Sequence, residues 1–175
     1  MNTLSQALSV ILLVFLMLAV ESPLLQEVHL SSFAPDLALV AVLWVALHLS
    51  LVAGVLTALV IGFLKDGFVM AVPLGMNMEI SVVVLLLARY LASKVPVRGV
   101  VSLVVTTVFL TMVGALMFVL LSLLFDKHFV AYRVVFRLMV PVALVTAPFA
   151  PVVFYLLDRL DGLFARARQR DSLFG

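Results

Sequence analysis

The 175-residue chain has no cysteine, which excludes disulfide frameworks and thiolate zinc sites. Charge is nearly as scarce, at 11% of residues, against about 25% in an ordinary soluble domain. Recognisable catalytic patterns are missing too: the sequence holds no G-x-S-x-G, no Walker loop and no His-x-x-x-His pair. His29, His48 and His128 lie far apart in predicted connections, so neither a metal site nor a catalytic triad is expected, and no cofactor. Internal repeats, linkers and low-complexity stretches are absent as well. What fills the chain is apolar: 66% of residues, with a mean hydropathy of +1.34. So small a globule cannot bury that much apolar surface, because surface is too large relative to volume at this size. The composition argues for an all-α integral membrane protein rather than a soluble enzyme, and gives no sign of nucleic-acid binding.

A spanning helix needs about 20 mostly apolar residues. The first such block is Leu4–Val20. No Lys or Arg precedes it and no A-x-A site follows, so it reads as a helix rather than a cleavable signal peptide. A polar interval, Glu21–Asp36, comes next without a basic residue, although Leu24–Leu30 within it is apolar enough to lie along an interface. Leu37–Leu64 is then apolar for 28 residues, about 42 Å of helix and too long for one untilted span. Divided at His48–Ser50 it gives helices Phe33–Leu47 and Leu51 to about Val69. Met76–Leu91, Val100–Phe125 and Met139–Leu157 follow. The expectation is a helical bundle of six spans, with five as the alternative. The runs are far too long for barrel strands, and a single chain in lipid must satisfy its own backbone. Residues 1–157 thus form the transmembrane domain and 158–175 a basic tail.

Lys and Arg accumulate in loops on the cytoplasmic side. Arg89, Lys94 and Arg98, with Arg159, Arg166, Arg168 and Arg170, place seven basic residues inside; Lys65, Lys127, Arg133 and Arg137 leave four outside. Six helices with both termini cytoplasmic satisfy this bias. The arginines of the tail recur beside Leu160, Leu163 and Phe164, which suits either a short amphipathic helix on the anionic inner leaflet or a solvated segment.

The most informative stretch is Gly54-x-x-x-Ala58-x-x-x-Gly62-x-x-x-Asp66. Four-residue spacing puts all four on one helix face, and three small residues let another backbone approach closely. Asp66 extends that face, and an ionisable group at membrane depth points to function or specific packing; otherwise it merely ends the span. Pro73 and Gly75 spell a turn, Asn77 is placed to cap the next helix, and Glu79 lies in its first turn. Arg133 and Arg137 share a face at the start of the last helix, and one of them is expected to pair with Asp66, since a lone carboxylate there is costly. Pro141, Pro148 and Pro151 interrupt the last span, and Thr107-x-x-x-Thr111-x-x-x-Ala115 offers a second close-packing face. Trp44, Tyr90, Tyr132 and Tyr155 read as packing residues or interfacial anchors.

In order and spacing, Pro35-Asp36-Leu37, the small-residue face ending in Gly62-Phe63-Leu64-Lys65-Asp66, and Pro73-Leu74-Gly75-Met76-Asn77 resemble the MreD family of bacterial rod shape-determining proteins. The chain departs from that pattern at Lys65, where an apolar residue is expected. The resemblance implies a non-enzymatic membrane scaffold of the cell-elongation machinery in the bacterial inner membrane. Its implied partner is MreC, alongside RodA, a class B penicillin-binding protein and MreB, in support of lateral peptidoglycan synthesis. It also implies a fold similar to the substrate-binding subunits of energy-coupling-factor vitamin transporters. Such a subunit, or a lipid or precursor carrier using Arg133, Arg137 and Asp66, is the alternative. The first block holds only Ala7 and Ala19 and lacks the Ala-x-x-x-Ala with which that transporter class commonly docks its energising partner.

Overall fold

A computed structural model describes residues 3–27, 34–68, 75–94, 99–125 and 132–174. All regular structure among them is helical: α1 (Thr3–Glu27), α2 (Leu37–His48), α3 (Leu51–Phe68), α4 (Met76–Lys94), α5 (Val100–Phe125) and α6 (Tyr132–Phe174). Four of these, α3 to α6, are long and apolar enough to cross a membrane, while Gln6–Glu21 of α1 and the whole of α2 are shorter apolar helices. The long apolar run does divide where His48–Ser50 weakens it. Leu49 leaves the helix in extended conformation, its N–H still held by the Val45 carbonyl at 3.0 Å.

Two boundaries differ from expectation. α1 continues past Val20 to Glu27, because Leu24, Leu25, Gln26 and Glu27 are good helix formers. α6 runs unbroken for 43 residues through Pro141, Pro148 and Pro151. Prolines end helices readily in water, but a nonpolar surround offers the backbone no other partner, so a helix there tolerates them. The basic tail is therefore a continuation of α6, not a separate helix.

Side-chain ties define the antiparallel order. Gln6 near the start of α1 donates to Asp161 late in α6 at 2.8 Å, and Lys65 near the end of α3 bonds Asp36 at the start of α2 at 2.6 Å. The start of α1 thus lies beside the Asp161 region of α6 at one end of the bundle. α2 forms its axis, touching every other helix, with Ala38–Ala46 buried without interruption. At about 18 Å it falls well short of a ~30 Å hydrocarbon core. A helix apolar on all sides belongs inside a larger assembly of helices.

The surrounding helices turn most of their apolar surface outward. Only 33–39% of each of the four long apolar windows is buried. α1 presents Leu4, Leu8, Leu12 and Leu16 outward while Gln6, Val10, Val14 and Leu18 face the core. On α5, Val101, Val105, Phe109, Leu116, Leu120 and Leu124 make a stripe along the whole helix. Apolar patches this extensive are not carried by soluble monomers.

Candidate functional site

The small-residue face of α3 is buried along its length: Gly54, Ala58, Gly62 and Asp66 all lie inside. Its neighbour is α4. A Cβ built on Gly62 would stand 2.5 Å from the Asn77 carbonyl oxygen and 2.5 Å from Met78 Cα, whereas one on Gly54 would meet only side-chain methyls, Leu85 Cδ1 at 3.4 Å and Val45 Cγ1 at 3.7 Å. The backbones therefore come closest at Gly62, at the first turn of α4. Asp66 closes the same seam. One carboxylate oxygen accepts from the Gly75 N–H at 2.8 Å; the other accepts from the Asn77 N–H at 3.1 Å and Asn77 Nδ2 at 2.8 Å. Gly75 sits at φ +101°, a region open to glycine without strain.

These contacts correct three expectations. Asp66 is paired with the start of α4, and Arg137, the one of the two arginines whose side chain is described, is exposed and forms no ion pair with it. A carboxylate at a helix N-terminus meets free N–H donors and the positive end of the dipole, which satisfies it without a cation. Asn77 does not cap α4 but lies inside its first turn, and the cap is supplied by Asp66 from α3. The Gly54–Asp66 face is consumed within the chain, so it is not free to receive another protein's helix. Pro73 and the side chain of Arg133 lie outside the described residues.

A second polar centre holds the N-terminus of α2. Asp36 is its N-cap, with Oδ1 accepting from the Leu39 N–H at 3.0 Å. Its own N–H donates to Thr146 Oγ1 of α6 at 2.9 Å, and Oδ2 takes the Lys65 ammonium. Lys65 and Asp66, adjacent in sequence, thus diverge to different helices, as the 100° step between neighbours requires. Beside this pair lies a cavity of about 400 Å³. Its lining combines Asp36, Lys65 and Asn77 with Val134, Leu138, Met139 and Val142 of α6. Thr111, Gly114, Ala115 and Phe118 of α5 line it as well.

The other end of α2 is held by polar contacts as well. Trp44 is buried, donates Nε1 to Asp158 of α6 at 2.7 Å and stacks on His48 at 4.2 Å. Arg89, read as part of a cytoplasmic loop, lies inside α4. Its Nε donates to the Ala46 carbonyl at 3.0 Å and its guanidinium also reaches the Leu49 carbonyl. These are the carbonyls that a helix end leaves unpaired. Removing the guanidinium in Arg89→Leu is expected to cost about 2 kcal/mol, the scale of hydrogen bonds to a charged group. Thermal unfolding in mild detergent checks this, and Arg89→Lys should recover part of the loss.

Of the second small-residue face, Thr107 is fully buried and bonds back to the Leu103 carbonyl. Thr111 and Ala115 instead border the cavity. Among the described residues no group of three or more His, Cys, Asp or Glu is placed to hold a metal ion. Comparison with protein families, with curated proteins and with solved structures finds no match.

Proposed function

We propose that the protein is a multi-pass scaffold of a bacterial inner membrane, of the MreD type, that binds MreC and supports lateral wall synthesis without catalysing a reaction. In this reading α1 and α2 cross together with the four longer helices, giving six spans with both termini cytoplasmic. The seven-to-four excess of basic residues counted along the sequence supports that orientation. The observation that carries the proposal is a rigid core joined to a broad apolar exterior. α2 is tied at both ends by part-buried polar contacts, while the α5 stripe from Val101 to Leu124 remains uncovered in the chain itself. A partner's transmembrane helix seated on that stripe would meet a surface that does not need to rearrange.

Affinity purification in mild detergent tests the proposal. Wild-type protein should retain MreC. Phe109→Ala combined with Leu116→Ala should reduce retention while leaving the thermal midpoint nearly unchanged. Failure of the wild type to retain MreC would overturn the proposed partner. Unchanged retention by the double variant would overturn the α5 surface.

A further inference from the structure

We propose that the outward face of α4, from Glu79 through Val83 and Leu86 to Tyr90, receives a transmembrane helix of another protein that carries an arginine or lysine at the depth of Glu79. All four residues are exposed, and they recur at helical spacing, which keeps them on one side of the helix. Val83, Leu86 and Tyr90 suit a surface that faces lipid; a carboxylate does not. The neighbouring residue sets its depth. Ile80 Cγ2 lies 3.8 Å from a Cβ built on Gly114, and Gly114 stands near the middle of the 26-residue α5, which is about 39 Å long. Toward the other end of α4, Arg89 bonds the Ala46 carbonyl about 15 Å away along the helix. Glu79 is therefore no loop charge. It belongs to a 19-residue helix that is apolar enough to cross a membrane, and at about 28 Å that helix only just matches the ~30 Å hydrocarbon thickness.

The fold itself makes no use of this carboxylate. Among the described residues it has neither a hydrogen-bond nor an ion-pair partner. The start of α4 draws its carboxylate from Asp66 instead, which takes the Gly75 and Asn77 N–H groups, while the Glu79 N–H bonds back to the Gly75 carbonyl at 3.1 Å. Hydrocarbon tails offer a carboxylate nothing, and ionisable groups within spans face a counter-charge, a bundle interior or water. Charge complementarity selects the occupant. A second copy of this chain does not fit: among the described residues Lys65 and Arg89, the cations within these spans, are engaged by Asp36 and by the carbonyls of α2. A two-fold contact between copies would moreover set the two Glu79 carboxylates on one shared surface. A different chain is required, with a cation opposite Glu79 and an apolar surface against Val83 and Leu86. This face is separate from the α5 stripe, and the proposal does not depend on MreC binding.

Site-specific photo-crosslinking of the full-length protein in intact cells provides the test. A photoreactive phenylalanine analogue replaces Val83, and in a separate variant it replaces Leu56, which is exposed on α3 and gives the background. The expected result at Val83 is a protein adduct above that background, whose crosslinked segment is a transmembrane helix containing Arg or Lys. Glu79→Gln should lower its yield by roughly tenfold or more, the scale on which losing one partner of a buried charge pair acts, and Glu79→Asp should retain most of it. Replacing the captured cation by Glu should abolish the adduct, and Glu79→Arg in the same cells should restore it. Purified Glu79→Gln in nanodiscs should keep the thermal midpoint of the wild type or exceed it, which separates loss of the adduct from loss of the fold. Overturning results are an adduct with lipid alone or with a second copy alone, a captured segment without a basic residue, or a yield indifferent to Glu79→Gln. A lowered midpoint in Glu79→Gln would also overturn the proposal, because it would place the partner of Glu79 inside the chain.

Discussion

Gly62→Ala is expected to lower stability by roughly 3 kcal/mol, the upper range for overpacking a filled site, whereas Gly54→Ala should leave it unchanged or raise it by up to about 1 kcal/mol. The second figure is the ordinary gain from replacing a helical glycine with alanine. Both positions lie on the same buried face of α3 and would be read alike from spacing. They differ in what the new methyl meets. At Gly54 it touches a leucine methyl at 3.4 Å, and a side chain can yield. At Gly62 it lies 2.5 Å from the Asn77 carbonyl oxygen and 2.7 Å from the Met78 nitrogen, and these atoms belong to the first turn of a helix. Relief requires α4 to move away from α3, which also stretches the bonds from Asp66. Thermal midpoints of the two variants in mild detergent check this, and equal behaviour would mean that α3 and α4 do not approach as described.

Asp66→Ala should be as damaging, at about 3–5 kcal/mol, because it leaves three donors without an acceptor and each buried orphan costs about 1–3 kcal/mol. The donors are the Gly75 and Asn77 N–H groups and Asn77 Nδ2. Asp66→Asn keeps one oxygen acceptor but turns an amide toward another donor, so about half the loss is expected. Arg137→Ala, by contrast, should change stability little, since that side chain is exposed. A large effect at Arg137 with a small one at Asp66 would restore the ion pair expected from sequence. Because Asp66 holds the seam together, any loss of partner binding in Asp66→Ala must be read beside its thermal midpoint.

Much of this arrangement was legible in the sequence where one residue type determines one physical outcome. Apolar length located the helices, and a polar pair of residues at His48–Ser50 located the break between α2 and α3. Gly, Ala and Gly at four-residue spacing marked a close approach. The identity of the approaching element was not legible, because α4 and a foreign helix would be received by the same small residues. The partners of Asp66 were hidden for a related reason: they are mostly backbone N–H groups, which no letter of the sequence announces, while Arg137 is conspicuous. The central place of α2 was hidden because a helix facing lipid and a helix enclosed by other helices are both apolar all round. Arg89 was counted as a loop charge since its targets, two carbonyls 43 and 40 residues earlier, leave no local trace. The cavity, assembled from five helices, has no counterpart in any single segment.

In the orientation proposed above, the bundle lies in a bilayer with the Gln6–Asp161 end toward the cytoplasm. The natural absence of cysteine allows a direct test with two single-cysteine variants, Lys127→Cys and Gly175→Cys, exposed in intact cells to a maleimide that cannot cross membranes. The account predicts that Lys127→Cys is labelled in intact cells and Gly175→Cys only after the membrane is opened. Labelling of Gly175→Cys from outside would contradict it.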